Sequence, residues 1–116
     1  MTVVGPEVQG YIDAVAPRQR PLFDRLHGLV VGAFPEAEIV LSYDMPTYVV
    51  GERRLYVAAW KSWVSLYGWD EGRDGGFLER HPELSSGRGT IKLRPAAAED
   101  IGDEELLDLV RGALGG

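Results

Sequence analysis

Leu55-Tyr56-Val57-Ala58-Ala59-Trp60-Lys61-Ser62-Trp63-Val64-Ser65-Leu66-Tyr67 is the stretch whose reading decides the fold. Aromatic and β-branched residues crowd both sides of Lys61-Ser62, which predicts two strands, Leu55 to Trp60 and Trp63 to Tyr67, joined by a two-residue loop. Side chains alternate across a strand. Such a loop therefore sets Trp60 opposite Trp63, Ala58 opposite Ser65 and Tyr56 opposite Tyr67. One face then carries Leu55, Val57, Ala59, Val64 and Leu66, an aliphatic set suited to a core. A slip of one residue would exchange partners and destroy that division.

Working outward, Glu38 to Tyr43 is rich in apolar and β-branched residues and predicts a strand, and Thr47 to Val50 predicts another. Met45-Pro46 is expected to break or bend the chain between them, because proline cannot donate to a central ladder. Gly51-Glu52 reads as a tight turn into the hairpin. Gly89 to Arg94 reads as a last strand, with Ile91 and Leu93 toward the core and Thr90, Lys92 and Arg94 opposite. Gly68 to Gly76 is expected to be a mobile loop, with one helical turn at Phe77 to His81 after it.

The flanks have helical spacing. Glu7 to Val15 places Val8, Tyr11, Ile12 and Val15 on one face. Arg18 to Phe34 does the same for Leu22, Leu26, Leu29, Val30 and Ala33, with Pro21 admissible only in the first turn. Asp103 is expected to cap a final helix running to about Leu114. Strands grouped together and flanked by helices indicate an α+β domain over residues 1–116: an antiparallel sheet of about five strands with helices packed on one face.

The composition narrows the classes of function. A chain of 116 residues suits one core. It contains no cysteine, which excludes disulfides, thiolate catalysis and cysteine-ligated metal clusters. No apolar run reaches the length of a membrane span, and no signal segment opens the chain, so a cytoplasmic protein without membrane contact is expected. The formal net charge of -6 repels a phosphate backbone. Nucleic acid is therefore not expected as a partner unless a local basic patch compensates.

The second face of the sheet gathers Tyr56, Trp60, Trp63 and Tyr67 with the small Ala58 and Ser65 and the cations Lys92 and Arg94. It has three readings. Aromatics give flat contact area, small residues leave room, and cations hold an anion or stack on a ring, which makes a site for a small aromatic or anionic ligand. Cross-strand aromatic pairs also stabilise a sheet without binding anything. A second copy of the chain could bury the patch, so the chain is expected as a monomer or a homodimer.

Other segments carry weaker signals. Ser85-Ser86-Gly87-Arg88-Gly89-Thr90 lacks the ordered glycines and lysine of a P-loop and leads into a strand, yet Arg88 and Thr90 are candidate anion contacts. His27 and His81 are the only histidines, and neither has a sequence neighbour that completes a catalytic triad. No enzymatic constellation is present. Glu99, Asp100, Asp103, Glu104, Glu105 and Asp108 crowd one segment. If the last helix began at Asp100, then Asp100, Glu104 and Asp108 would line one face. Carboxylates without histidine or cysteine suit hard cations held weakly through oxygen. Acids at a helix N-terminus are also expected from the macrodipole alone.

Ser42-Tyr43-Asp44-Met45-Pro46-Thr47-Tyr48, followed by the hairpin and by Gly89-Thr90-Ile91-Lys92-Leu93, resembles the YdhG-like family of small bacterial domains, whose members are described as frataxin-like iron chaperones. The resemblance spans nearly the whole chain. It implies a non-enzymatic protein that binds iron and delivers it to an acceptor protein. Glu99, Asp100, Asp103, Glu104 and Asp108 are its candidate ligands, iron being the one cofactor it implies. The signature residues Tyr43, Met45 and Tyr48 could line a pocket with Tyr56, Trp60, Trp63, Tyr67 and Lys92, or simply pack. Two positions depart from the pattern. Asp44 stands where relatives carry glycine or lysine, and Trp63 stands where relatives often carry a histidine. Any metal or acid–base role of that histidine has no counterpart here, which favours an aromatic binding role.

Overall fold

The computed structural model describes residues 5–60, 62–68, 76–84 and 90–115. Its elements run α1 (Pro6–Asp13), α2 (Arg20–Ala33), β1 (Glu38–Ser42), β2 (Met45–Val50), β3 (Arg53–Ala59), β4 (Val64–Tyr67), α3 (Phe77–Arg80), a 3-10 turn (Pro82–Leu84), β5 (Thr90–Leu93), α4 (Pro95–Glu99) and α5 (Asp103–Leu114). The strands form one antiparallel sheet in chain order, β1-β2-β3-β4-β5.

The register of the central hairpin matches the expectation. Tyr56 pairs with Tyr67, Ala58 with Ser65 and Ala59 with Val64, and the Trp60 amide donates to the Trp63 carbonyl at 2.8 Å. Leu55, Val57, Val64, Leu66, Ile91 and Leu93 are all buried. They form one cluster with Val8 and Ile12 of α1, Phe23, Leu26 and Val30 of α2, Phe77 of α3, and Leu106, Leu109 and Val110 of α5. Burying a side chain of this size contributes about 1.5–3 kcal/mol. The helices thus lie on the aliphatic face, and the α+β architecture is as the sequence implied.

The first hairpin corrects one expectation. The chain reverses at Tyr43-Asp44, not at Met45-Pro46, and Ser42 pairs directly with Met45. Pro46 sits inside β2 opposite Leu41. Hydrogen bonds alternate sides along an antiparallel strand, so the nitrogen of Pro46 faces β3 rather than β1. The β2–β3 pairing ends at Thr47–Tyr56, one residue short of the position where that missing N–H would have been needed.

The second turn is conventional. Gly51 takes a positive φ of 61° at the first central position of the loop. The Tyr43-Asp44 turn is not. Both residues have positive φ, 53° and 60°, where a two-residue hairpin of this hand favours Asn-Gly. A left-handed tyrosine is a genuine outlier.

The C-terminal segment differs from the expectation in two respects. It forms two helices, and Gly102 rather than Asp103 occupies the cap position of α5. One guanidinium holds the break between them. Arg25 Nη1 donates to the Ala98 carbonyl at 2.9 Å and Nη2 to the Ile101 carbonyl at 2.6 Å, while Nε donates to Asp103 at 2.6 Å. Those bonds tie α2 to the junction of α4 and α5, where the Ala98 carbonyl also accepts from the Ile101 amide at 3.1 Å.

The strained turn gives a direct test. Replacing Tyr43→Asn together with Asp44→Gly is expected to stabilise the protein by about 1–2 kcal/mol, since left-handed residues other than glycine cost about that much. A higher urea midpoint at unchanged slope is the readout.

Candidate functional site

Register assigns the residues of the second face without ambiguity. Across the strands, one row reads Val40, Thr47, Tyr56, Tyr67, Thr90. The next row is Ser42 and Met45 on the first hairpin, then Ala58, Ser65 and Lys92. Beyond it lie Trp60 and Trp63 at the ends of β3 and β4, with Arg94 just past β5. Four residues of strand put Tyr56 and Trp60 ~13 Å apart. The two aromatic rows therefore flank the row of Ala58, Ser65 and Lys92.

The floor of this face is closed. Thr47 is 0% exposed, Ala58 1% and Ser65 4%, although the helices pack on the other side. Trp63 is tied down through its indole N–H, which donates to Ser65 Oγ at 3.0 Å. The Lys92 ammonium lies 3.6 Å from the centroid of the Trp63 ring, and the Arg94 guanidinium lies 5.9 Å from it. Neither cation has a carboxylate partner among the described residues. Trp60 remains 48% exposed and Tyr43 82% exposed. Tyr43 touches Tyr56 in a tilted ring contact at 6.2 Å, so the strained turn holds it over the same face.

The structure thus brings together Tyr43, Met45, Tyr56, Trp60, Trp63, Tyr67, Thr90 and Lys92 on one face. Arg88 lies outside the described residues. Tyr48 is removed from the set. It alternates to the core side opposite Leu55, is 1% exposed, and shares a 2.8 Å hydrogen bond with His27 Nδ1. Its neighbour Thr47, not Tyr48, shares the face of Tyr56.

The acidic segment is dispersed. Glu99 ends α4 and Asp100 caps it, both exposed, while Asp103 in the first turn of α5 is paired with Arg25. Glu104 is exposed and Asp108 lies 3.8 Å from Arg111. Asp100 is outside α5, so the three-acid stripe that needed it on that helix does not form. No group of three or more carboxylates and imidazoles capable of holding a metal occurs among the described residues.

A pairing that local sequence gave no sign of joins His81 to Glu105. The imidazole Nε2 hydrogen-bonds to the Glu105 carboxylate, and the ring rests on Phe77 at 4.8 Å. This contact braces α3 against α5, across 24 residues of sequence. Only the fold could reveal it.

No protein-family model matches the sequence, and neither the curated proteins nor the solved structures give a match.

His27 supplies a pH test. Burial depresses its pKa below the ordinary 6.5, against a smaller opposing effect of Asp24. Below pH 6.5 the unfolded chain takes up a proton that the folded chain resists. This part of the stability is therefore complete above pH 6.5 and lost as pH falls through the folded pKa. The unfolding free energy of His27→Gln is expected to fall less steeply between pH 7 and pH 5 than that of the parent chain, as urea midpoints at each pH would record.

Proposed function

We propose that this chain is a non-enzymatic binding module whose open sheet face takes a planar, negatively charged ligand. The observation that carries the reading is the Lys92–Trp63–Arg94 group. Two cations without carboxylate partners among the described residues lie within cation–π range of one indole, next to an exposed Trp60. Flat rings stack on the aromatics, and an anionic substituent meets the ammonium and the guanidinium. The same face could serve as a dimer interface, which sedimentation separates from ligand binding. A monomer sediments at 12.8 kDa and a dimer at twice that mass.

The YdhG-like resemblance supplies a second reading, delivery of iron to an acceptor protein through the acidic surface of α4 and α5. Its support is that Glu99, Asp100 and Glu104 are exposed and carry no ion pair among the described residues. The binding reading rests on side chains already converged on one another, and for that reason it is preferred.

The two readings predict different nuclear magnetic resonance maps. Naphthalene-2-sulfonate, a planar aromatic anion, is expected to shift the indole N–H signals of Trp60 and Trp63 and the amides of β3 to β5 saturably. Replacing Lys92 and Arg94 together by Gln is expected to weaken that binding by about tenfold or more, since hydrogen bonds to charged groups contribute about 1.5–3 kcal/mol. Silence of those signals at millimolar probe, with saturable broadening of α4 and α5 by ferrous iron that magnesium does not reproduce, would replace the binding reading with the iron reading.

A further inference from the structure

A net charge of -6 argues against nucleic acid only when the charges are spread evenly, and here they are segregated. By register Arg54 shares the open face with Lys92 and, at the end of β5, Arg94. The acids Glu99, Asp100, Asp103, Glu104 and Asp108 belong to α4 and α5, and α5 packs against the sheet from the other side. The acidic α5 and the open face therefore lie on opposite sides of the sheet, while α4 starts directly after Arg94. Among the described residues, Glu38 and Asp44 lie on or beside this face at the β1–β2 hairpin, and Glu52 lies in the β2–β3 turn. The basic side is the β3–β5 half.

The distribution of the aromatics identifies the ligand further. A site for one small molecule is a concavity with its contacts converging on a point. Here Tyr43, Tyr56 and Tyr67 are separated from Trp60 and Trp63 by the row of Ala58, Ser65 and Lys92, over a sheet surface ~13 Å long between the rows. Stacking surfaces repeated at that spacing, bordered by cations, suit a polymer of planar rings joined by anions. We propose that the ligand of the open face is single-stranded nucleic acid. Bases stack on Trp60 and on the Tyr43–Tyr56 pair, and phosphates meet Lys92, Arg94 and Arg54. This inference rests on the binding reading above and commits it to one class of ligand.

The test is fluorescence anisotropy of labelled twelve-nucleotide oligo(U) and oligo(dT), with a duplex of the same length and free UMP as competitors. Saturable binding is expected, with log K falling against log salt at a slope of about -2, from three phosphate contacts at ~0.7 each. Lys92→Gln is expected to reduce the magnitude of that slope by ~0.7. Trp60→Ala is expected to weaken binding about tenfold, the worth of one stacked base. Trp60 is half exposed, so its removal leaves the core intact, and an unchanged amide spectrum outside the hairpin checks this. Duplex and UMP should each compete at least tenfold less well than the single strands. Binding of naphthalene-2-sulfonate without binding of either oligonucleotide would overturn the nucleic-acid assignment and leave the binding face standing. A salt-independent signal, or equal competition by the duplex, would overturn it as well. Failure of both probes would remove the binding reading itself.

Discussion

The 2.8 Å hydrogen bond from the Trp60 amide to the Trp63 carbonyl closes the central hairpin, and the two faces of the molecule depend on the register it locks. Because strand side chains alternate, one register puts Leu55, Val57, Val64 and Leu66 against the helices and Tyr56, Trp63, Ser65 and Tyr67 on the opposite face, where Ser65 is itself covered. A slip would bury serine and indole where Phe23 and Leu106 now pack. The core therefore enforces the register: the free energy of burying one whole aliphatic set resists the slip. The aromatic face is the consequence of that constraint, since whatever alternates with the core lies on the opposite side of the sheet.

A face of that kind is costly to leave uncovered, and the chain limits the exposure internally. Thr47, Ala58 and Ser65 are buried, and Trp63 is held by Ser65 and by two cations. What remains exposed is Trp60 at the end of the hairpin and Tyr43 at a strained turn. Strain of this sort persists when the surrounding structure over-determines it, and it clusters at sites of function. Tyr43 is a candidate contact on that physical ground as well as by its position over Tyr56.

The helical layer solves a different problem. Two helices, α4 and α5, meet across residues 100–102, and the carbonyls of Ala98 and Ile101 at that junction take donors from outside it. Arg25 supplies them from α2 and pairs with Asp103 at the same time. The acids that suggested a metal surface are thereby partly committed to structure. Asp103 is held by a guanidinium, and first-turn acids complement the α5 macrodipole.

Alternation, turn chemistry and helical spacing are local properties, so the α+β class, the hairpin register, the aliphatic set of the hairpin and the aromatic composition of the opposite face were legible in the sequence, whereas the core places of Tyr48, Phe23 and Phe77 were not. It misplaced the first turn, because proline was read as a break where only its missing N–H mattered, and that N–H falls where the β2–β3 ladder has already ended. The Ser42–Tyr48 signature makes Tyr48 a candidate beside Tyr43, and a signature fixes no strand parity. Pairing with Leu55 sends Tyr48 inward to His27. The Arg25 staple, the His81–Glu105 brace and the stacking of Lys92 and Arg94 on Trp63 were decided by tertiary structure alone. Each joins residues distant in sequence, and contact at a distance is set by how layers pack rather than by any local pattern.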